Sequence, residues 1–484
     1  MMKKHIFKSA AVILTALSLT FAGCSKFLDV NDNPNQTTEA LPSLVLPSAQ
    51  SAIGIVLGNT YQVYGSMWSQ YWTQNRSSSQ YKSIDQYLLQ GSDFDRPWSL
   101  LYADAMQDLQ IIINQADAEP VKQYGAIAMI LKAYELQMLT DAFGDIPMKD
   151  ALQGEQLKLN PEYDPQEEVY DSIFALIDRG ISLIDPNSEY VPGAEDLIFA
   201  GDMDKWEAFA NTLKLRAYLR LSEVNATKAA AGIATLAGAT FLTEDAQINY
   251  TAVGGNQNPL YAEMVGLSRT QNLVASETAV NQMKAMNDPR LLAFYQKAAG
   301  RDTVNPIPQG DFNTPPSASN PLSLPSPNTG AAPRSAASAL APVKFMSAAE
   351  SYFLQAEAAA RNWLAGDVRA LYEDGISASF ASYNVTPGTY ITTAVAAFPA
   401  TGLEAQLEAI ITQKYFAMNG NQGFEAWSEW RRTGYPDFFV RSVESSLPAG
   451  QFPQRFLYPN TELTRNPNFP GAKIVTDKVW WDVN

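Results

Sequence analysis

The chain has 484 residues, 46% of them hydrophobic and 17% charged, with 50 Asp and Glu against 34 Lys and Arg and a formal net charge of -16. A field of that sign repels phosphate backbones and anionic lipid, which argues against nucleic-acid binding or membrane attachment through a basic surface. The single histidine, His5, and the single cysteine, Cys24, both fall in the first 24 residues, so the remainder offers no Ser-His-Asp or Cys-His catalysis, no His-bearing zinc site and no disulfide.

In chain order, the first element is an export signal. Lys3, Lys4 and Lys8 form a positive start, Ala10 to Phe21 an apolar run, and Ala22-Gly23 a small pair before Cys24, which predicts a signal peptide over 1–23 and lipid attachment at Cys24. Acyl chains contribute about 0.8 kcal/mol per buried CH₂, enough to hold a protein on a bilayer without a spanning helix. Removal of the three leader lysines leaves a mature chain of about 461 residues at about -19. No later segment is long and apolar enough to be predicted to span a membrane. Residues 24–43 read as a polar tether. Its Asp29 and Asp32 lack the spacing of a calcium loop and fit solvated turns better.

From residue 44 the pattern is helical. The periodicity predicts helices over about 47–74, 96–116, 121–141, 166–181, 204–222, 270–286, 345–365, 367–380 and 401–419. Tyr124, Ala128, Leu131, Tyr134 and Met138 recur at three- and four-residue spacing, as do Trp206, Phe209, Leu213, Ala217 and Leu221. In the line Phe345, Ala349, Phe353, Ala356, Ala360, alanine permits close helix contact. Small residues facing large ones on helix pairs are the material of tetratricopeptide-like packing, although no clean 34-residue repeat is present. Three stretches interrupt the helices: 142–165, 242–269 and 300–343, all rich in Gly, Pro, Asn, Ser and Thr. The last is too long for a simple connector and points either to disorder or to a functional surface loop. Residues 381–400 and 430–484 also lack periodicity. The expected fold class is therefore all-α, mostly helical: one domain over 44–484 with loop insertions at about 242–269 and 300–343.

Nine Trp and 22 Tyr, many in polar contexts, suit sugar rings, whose C–H faces stack on aromatics while their hydroxyls bond to amides and carboxylates. They suit peptides almost as well. In YQVYGSMWSQYWTQNRSSSQY, Trp68 and Trp72 share a helical face, with Tyr61, Tyr64 and Tyr71 on adjoining ones. Asn75, Arg76 and Gln80 follow as hydrogen-bonding groups, and Tyr81 closes the patch. Glu425 and Glu429 are spaced to share one helix face among Arg431 and Arg432, which reads as salt-bridged scaffold; a retaining glycosidase needs its carboxylates about 5–5.5 Å apart across a cleft.

The blocks GCSKFLDVNDNPN, AFGDIPMKDAL, DKWEAFANTLKLRAYLRLSE, NDPRL, PVKFMSAAESYFLQAEAAARNW, ITQKYFAMNGNQGFEAWSEWRRTGYPDF and PQRFLYPNTELTRNP, in this order behind a lipobox-like Cys, resemble the SusD/RagB family of outer-membrane nutrient-binding lipoproteins, in its SusD-like subgroup. Phe21 is bulkier than the aliphatic residue usual three places before such a cysteine. The resemblance implies tetratricopeptide-like helix pairs with long irregular loops forming a ligand face. It implies a lipid-anchored protein on the outer-membrane surface, partnered with a SusC-type TonB-dependent transporter, that delivers an oligosaccharide or a peptide without catalysis or a cofactor. Because the family's ligand face draws on the region between the first helices and on mid-chain loops, the ligand-binding candidates are Trp68, Trp72, Asn75, Arg76 and Tyr81, with Trp98 divided between core anchor and site, and Tyr261 and Arg269 from the second irregular stretch. The competing readings are a peptide-capturing member of the same import system, a surface glycoside hydrolase, and a purely structural lipoprotein.

Overall fold

A computed structural model describes residues 40–269 and 271–484. The leader, the Cys24 lipidation site and the Asp29/Asp32 segment lie outside the described residues. The first predicted helix forms as α1 (Pro42–Val56) and α2 (Gln62–Trp68), joined by a π-helical stretch, Leu57–Tyr61. It stops short of the expected end near 74 because Gln70 is held at a left-handed φ of 58°. Its side-chain oxygen accepts from the Val440 amide and the Thr278 hydroxyl, and its amide donates to the Val440 carbonyl. Beyond this turn the chain is extended.

Two small antiparallel sheets result: β1 (Trp72–Gln74) with β3 (Leu273–Ala275), and β2 (Ala246–Ile248) with β4 (Val343–Met346). β3 occupies the start of the predicted 270–286 helix, and only α9 (Glu277–Ala285) is helical there, capped by the Ser276 hydroxyl. Partner strands nearly 200 residues away decide this, and no local periodicity reports them.

The longer remaining helices are α3 (Gln107–Ile113), α4 (Lys122–Phe143), α5 (Gln166–Leu183), α6 (Met203–Arg220), α7 (Ala226–Ala234), α8 (Pro259–Gly266), α10 (Ala348–Ala360), α11 (Val368–Ser382), α12 (Tyr390–Ala397), α13 (Leu403–Met418) and α14 (Gly423–Thr433), of which α3–α6, α10, α11 and α13 fall in predicted ranges and α7 and α14 outside them. α8 and α12 arise inside stretches expected to be irregular. Consecutive helices pack in the tetratricopeptide-like manner, α4 on α5 and α10 on α11. No described helix is long and apolar enough to cross a membrane. Small residues set the closest approaches. A Cβ on Gly65 of α2 would lie 2.1 Å from the Phe424 nitrogen of α14, and one on Gly423 would lie 2.4 Å from the Ser66 nitrogen. The two helices cross with backbones touching.

Beneath this crossing lies a buried lattice of charge. Arg220 of α6, fully enclosed, binds Asp141 of α4 at 3.2 Å and Glu429 of α14 at 2.6 Å, and also pairs with Glu425. Arg432 joins Glu429 to Glu357 of α10, Lys414 of α13 reaches Glu429 at 3.1 Å, and Arg216 reaches Glu350. Five helices share one network, and Glu425 and Glu429 are spent in it.

The 300–343 segment is tied down. Val304, Ile307, Gln309 and Phe312 are buried, and short 3-10 turns at Pro327–Thr329 and Ala336–Leu340 shape the rest. The Gln309 amide donates to the carbonyls of Met67 and Trp72 and, at 2.6 Å, to the Asp85 carboxylate, which also accepts from Thr73 Oγ1 and the Gln74 amide. Burial raises the Asp85 carboxyl from its ordinary 3.8 to about 7 in spite of these donors.

Replacing Arg220 by Met removes a buried counter-charge shared by Asp141, Glu425 and Glu429, and urea unfolding is expected to show a loss of about 3–5 kcal/mol; a stability equal to wild type would show that the lattice is not structural. Asp85 supplies a pH test. Its folded pKa lies above the unfolded value, so its stabilising contribution is full below about 4 and is lost as pH rises through about 7. The urea midpoint should therefore fall less between pH 5 and pH 8 in Asp85→Asn than in wild type, and an unchanged slope would contradict this assignment.

Candidate functional site

The site starts from the π-helical stretch. At Gly58 the chain passes so close to β4 and α8 that a Cβ would lie 2.3 Å from Val343 and 3.0 Å from Pro259. Single π turns of this kind recur at functional sites because they re-aim one side chain. Here the next residue, Asn59, donates its side-chain amide to Glu263 Oε2 at 2.6 Å. Asn258 fixes the opposite wall: its carbonyl oxygen caps the first amides of α8, and its amide donates to the Ala341 carbonyl. One turn along α8, Glu263 is thereby presented to the groove.

Glu263 is the hub of the site. Oε1 accepts from Arg269 at 2.6 Å, and Oε2 accepts from Arg96 at 3.2 Å as well as from Asn59. Arg269 also donates to the Tyr81 hydroxyl at 3.2 Å. Burial raises the Tyr81 phenol, with the Arg269 charge opposing.

This cluster divides two depressions. The larger, about 850 Å³, is walled by Ser51 and Ile55 of α1, by Tyr250 and Asn249 after β2, by the Gly255–Gln257 turn, and by Leu267 and Arg96. The smaller, about 280 Å³, is walled by Thr60, Tyr64, Gln80, Tyr81 and Asp93. Asn59, Glu263 and Arg269 line both. Tyr250 is half-buried, and burial pushes its phenol above the ordinary range. The larger depression thus combines an aromatic face, exposed amides on Asn249 and Asn256, and two guanidinium groups. That mixture suits a hydroxyl-rich ring or a polar chain. A further groove of about 510 Å³, between α9, α11, α12 and α13, is lined by several Ala, by Tyr372, Tyr390 and Phe398 and by the polar Asn287, Glu408 and Gln413, and is somewhat more apolar.

The expected site residues divide sharply. Trp68 and Trp72 are enclosed, at 3% and 0% exposure. The Trp68 ring packs 4.8 Å from that of Trp427, and its indole N–H donates to the Ile84 carbonyl. Trp98, at 6%, sits among Tyr102, Phe143, Tyr163 and Tyr458. All three are core residues, which corrects the expectation of stacking faces at Trp68 and Trp72 and leaves Trp98 with its core-anchor alternative: the Gly65–Gly423 crossing turns the aromatic stripe of α2 inward, and the chain beyond it follows. Asn75 is committed to the Gln271 carbonyl, and Arg76 is committed to the carbonyl and carboxylate of Asp311. Both fasten loops. Tyr261 is half-buried on α8 and is not part of either wall. Only Tyr81 and Arg269 meet at the clefts.

Asn59, Arg96, Tyr250, Asn256 and Glu263 were missed. The signal within reach was local: NYTAVGGNQN, at 249–258 inside the second irregular stretch, sets one aromatic among Gly and amide residues. Arg96 carried none, being an ordinary charge at the start of the predicted 96–116 helix.

A family model described as starch-binding and associating with the outer membrane, SusD-like, matches residues 34–459. Among solved structures, a chitin-binding protein is 26% identical, with 92% of this chain and all of that one covered and a TM-score of 0.77. A chitin-binding SusD homologue from Flavobacterium johnsoniae is 23% identical over 90% of this chain and 99% of its own, TM-score 0.75. A SusD homologue from Bacteroides uniformis is 24% identical over 91% and 99%, TM-score 0.76. The last two show a common fold. No curated protein sequence matches significantly.

The reassignment of the tryptophans is testable by thermal and urea unfolding. Trp72→Ala removes a fully enclosed indole and is expected to cost about 3–5 kcal/mol, whereas Tyr250→Ala, on a cleft wall, should stay within about 1 kcal/mol of wild type. An unchanged transition for Trp72→Ala would return that ring to the list of ligand contacts.

Proposed function

The chain belongs to the SusD-like family, and from that premise we propose that it is a cell-surface lipoprotein that captures a nutrient glycan in the cleft around Glu263 and delivers it to a partner TonB-dependent outer-membrane transporter. The observation that carries the reading is the cleft itself: an aromatic wall at Tyr250, exposed amides and a fixed Arg–Glu–Arg cluster around about 850 Å³. Tyr250 and Leu267 offer faces to the C–H side of a sugar ring, and Asn249, Asn256 and Arg269 offer bonds to its hydroxyls. The 26% identical chitin-binding protein, matched along its whole length, supports a glycan over a peptide.

Binding without hydrolysis fits the acids present. Glycoside hydrolysis uses two carboxylates flanking the scissile bond. Among the described residues lining the larger cleft Glu263 is the sole carboxylate, and it is engaged by Asn59, Arg96 and Arg269. Attachment to the outer membrane runs through acylated Cys24.

Calorimetry on protein beginning at Ser25 tests this reading against defined oligosaccharides and peptides. Saturable binding of a glycan, weakened about tenfold or more (about 1.4 kcal/mol) in Tyr250→Ala with unfolding unchanged, is the expected result. Heat from peptides alone would replace the ligand class, and chain cleavage of any glycan, followed by chromatography, would overturn the non-catalytic assignment.

A further inference from the structure

We infer that the glycan held in this cleft is acidic, carrying a carboxylate that the exposed fork of Arg96 binds; the inference rests on the glycan-binding reading above. The charge pattern is the first ground. The chain as a whole is at -16, yet the charged residues lining the larger cleft are Arg96, Arg269 and Glu263, two cations against one anion. A chain this acidic repels an anionic ligand at long range, so a local positive excess at the cleft is where such a ligand is recognised.

The second ground is how the three charges are engaged. Glu263 is already matched by Arg269 at 2.6 Å and by the Asn59 amide at 2.6 Å, with both side chains about four-fifths buried in the pair. Arg269 spends a further bond on Tyr81. Arg96 touches the same carboxylate more loosely, at 3.2 Å through one Nη1–H, while its side chain is 70% exposed. A guanidinium has five N–H donors in a planar fork and never loses its charge. One donor anchors Arg96 at the mouth of the cleft, and among the described residues Glu263 is the acceptor that engages it. The edge so presented matches the two oxygens of a carboxylate, the geometry of strong bidentate pairs. Tyr250 and the amides of Asn249 and Asn256 line the same cleft and serve the ring and hydroxyls of the same sugar unit.

The test uses matched pairs: oligouronates and sialylated oligosaccharides, each alongside the same oligosaccharide with its carboxyl groups reduced to alcohols, titrated calorimetrically into the Ser25-start protein, Arg96→Gln and Arg96→Lys. The expected result is that an acidic member binds at least tenfold more tightly than its reduced counterpart. Arg96→Gln should abolish that preference without shifting the melting temperature, and Arg96→Lys should retain part of it, because charge survives while the fork is lost. Equal affinity for acidic and reduced forms, tighter binding of neutral oligosaccharides, or an acidic preference untouched in Arg96→Gln overturns the inference and leaves glycan capture standing. Absence of binding to any glycan, acidic or neutral, overturns both.

Discussion

Everything else in the molecule is arranged around the buried lattice centred on Arg220. Enclosing several carboxylates and guanidinium groups is costly unless each finds its counter-charge, and removing any one partner leaves an uncompensated charge in a low-dielectric interior. The lattice therefore ties α4, α6, α10, α13 and α14 to a common geometry, since Asp141, Arg220, Glu357, Lys414 and Glu429 are joined by ion pairs that cross between those helices, with Arg432 linking Glu357 to Glu429. Apolar contacts between the same helices tolerate small slips; paired charges do not. Arg431, lying 3.6 Å from the Trp427 ring centroid and 4.6 Å from that of Trp481, ties the C-terminal segment to the same centre, and the Trp481 indole donates to Asp141.

The candidate site repeats this logic at smaller scale and nearer to water. Glu263 is one carboxylate shared by an amide from a π-helical turn, a guanidinium from the segment after α8 and another from the short helix Asp95–Ser99. Its function there is positional. By holding Arg269 and lightly tethering Arg96, it converts two flexible cations into a fixed surface, so part of the ordering cost of binding is met before a ligand arrives.

The fold was legible in the sequence where the signal is local. The helices over 121–141, 166–181 and 204–222 appear within a few residues of their expected bounds, because burial on one face writes a 3.6-residue period. β1 and β3 were not legible, since each is extended only because the other is, nearly 200 residues off. The spacing of Trp68 and Trp72 identified a patterned aromatic stretch but could not say what covers it. That depends on Gly65 meeting Gly423, a contact across the whole chain. The site was harder still: Asn59, Arg96 and the Glu263–Arg269 stretch come from three separated segments, and each is unremarkable in its own sequence neighbourhood. Arg269 was reached through the general placement of loops, Tyr81 through the early aromatic run that it closes, and Tyr250 lay inside a stretch whose Gly and amide content had marked it.

The turn that carries Asn256 closes on itself. The Thr251 amide donates to the Asn256 carbonyl at 2.8 Å, the Gln257 side chain donates to the Ala252 carbonyl, and residues 251–256 are exposed throughout. None of these bonds reaches the helical frame. One wall of the cleft is thus a self-contained cassette set on a frame whose own residues are locked together by charge. Lengthening, shortening or recoding those six positions breaks none of the interior bonds, so the shape of this cleft wall is free to change by exchange of a single surface turn while the body of the protein stays constant.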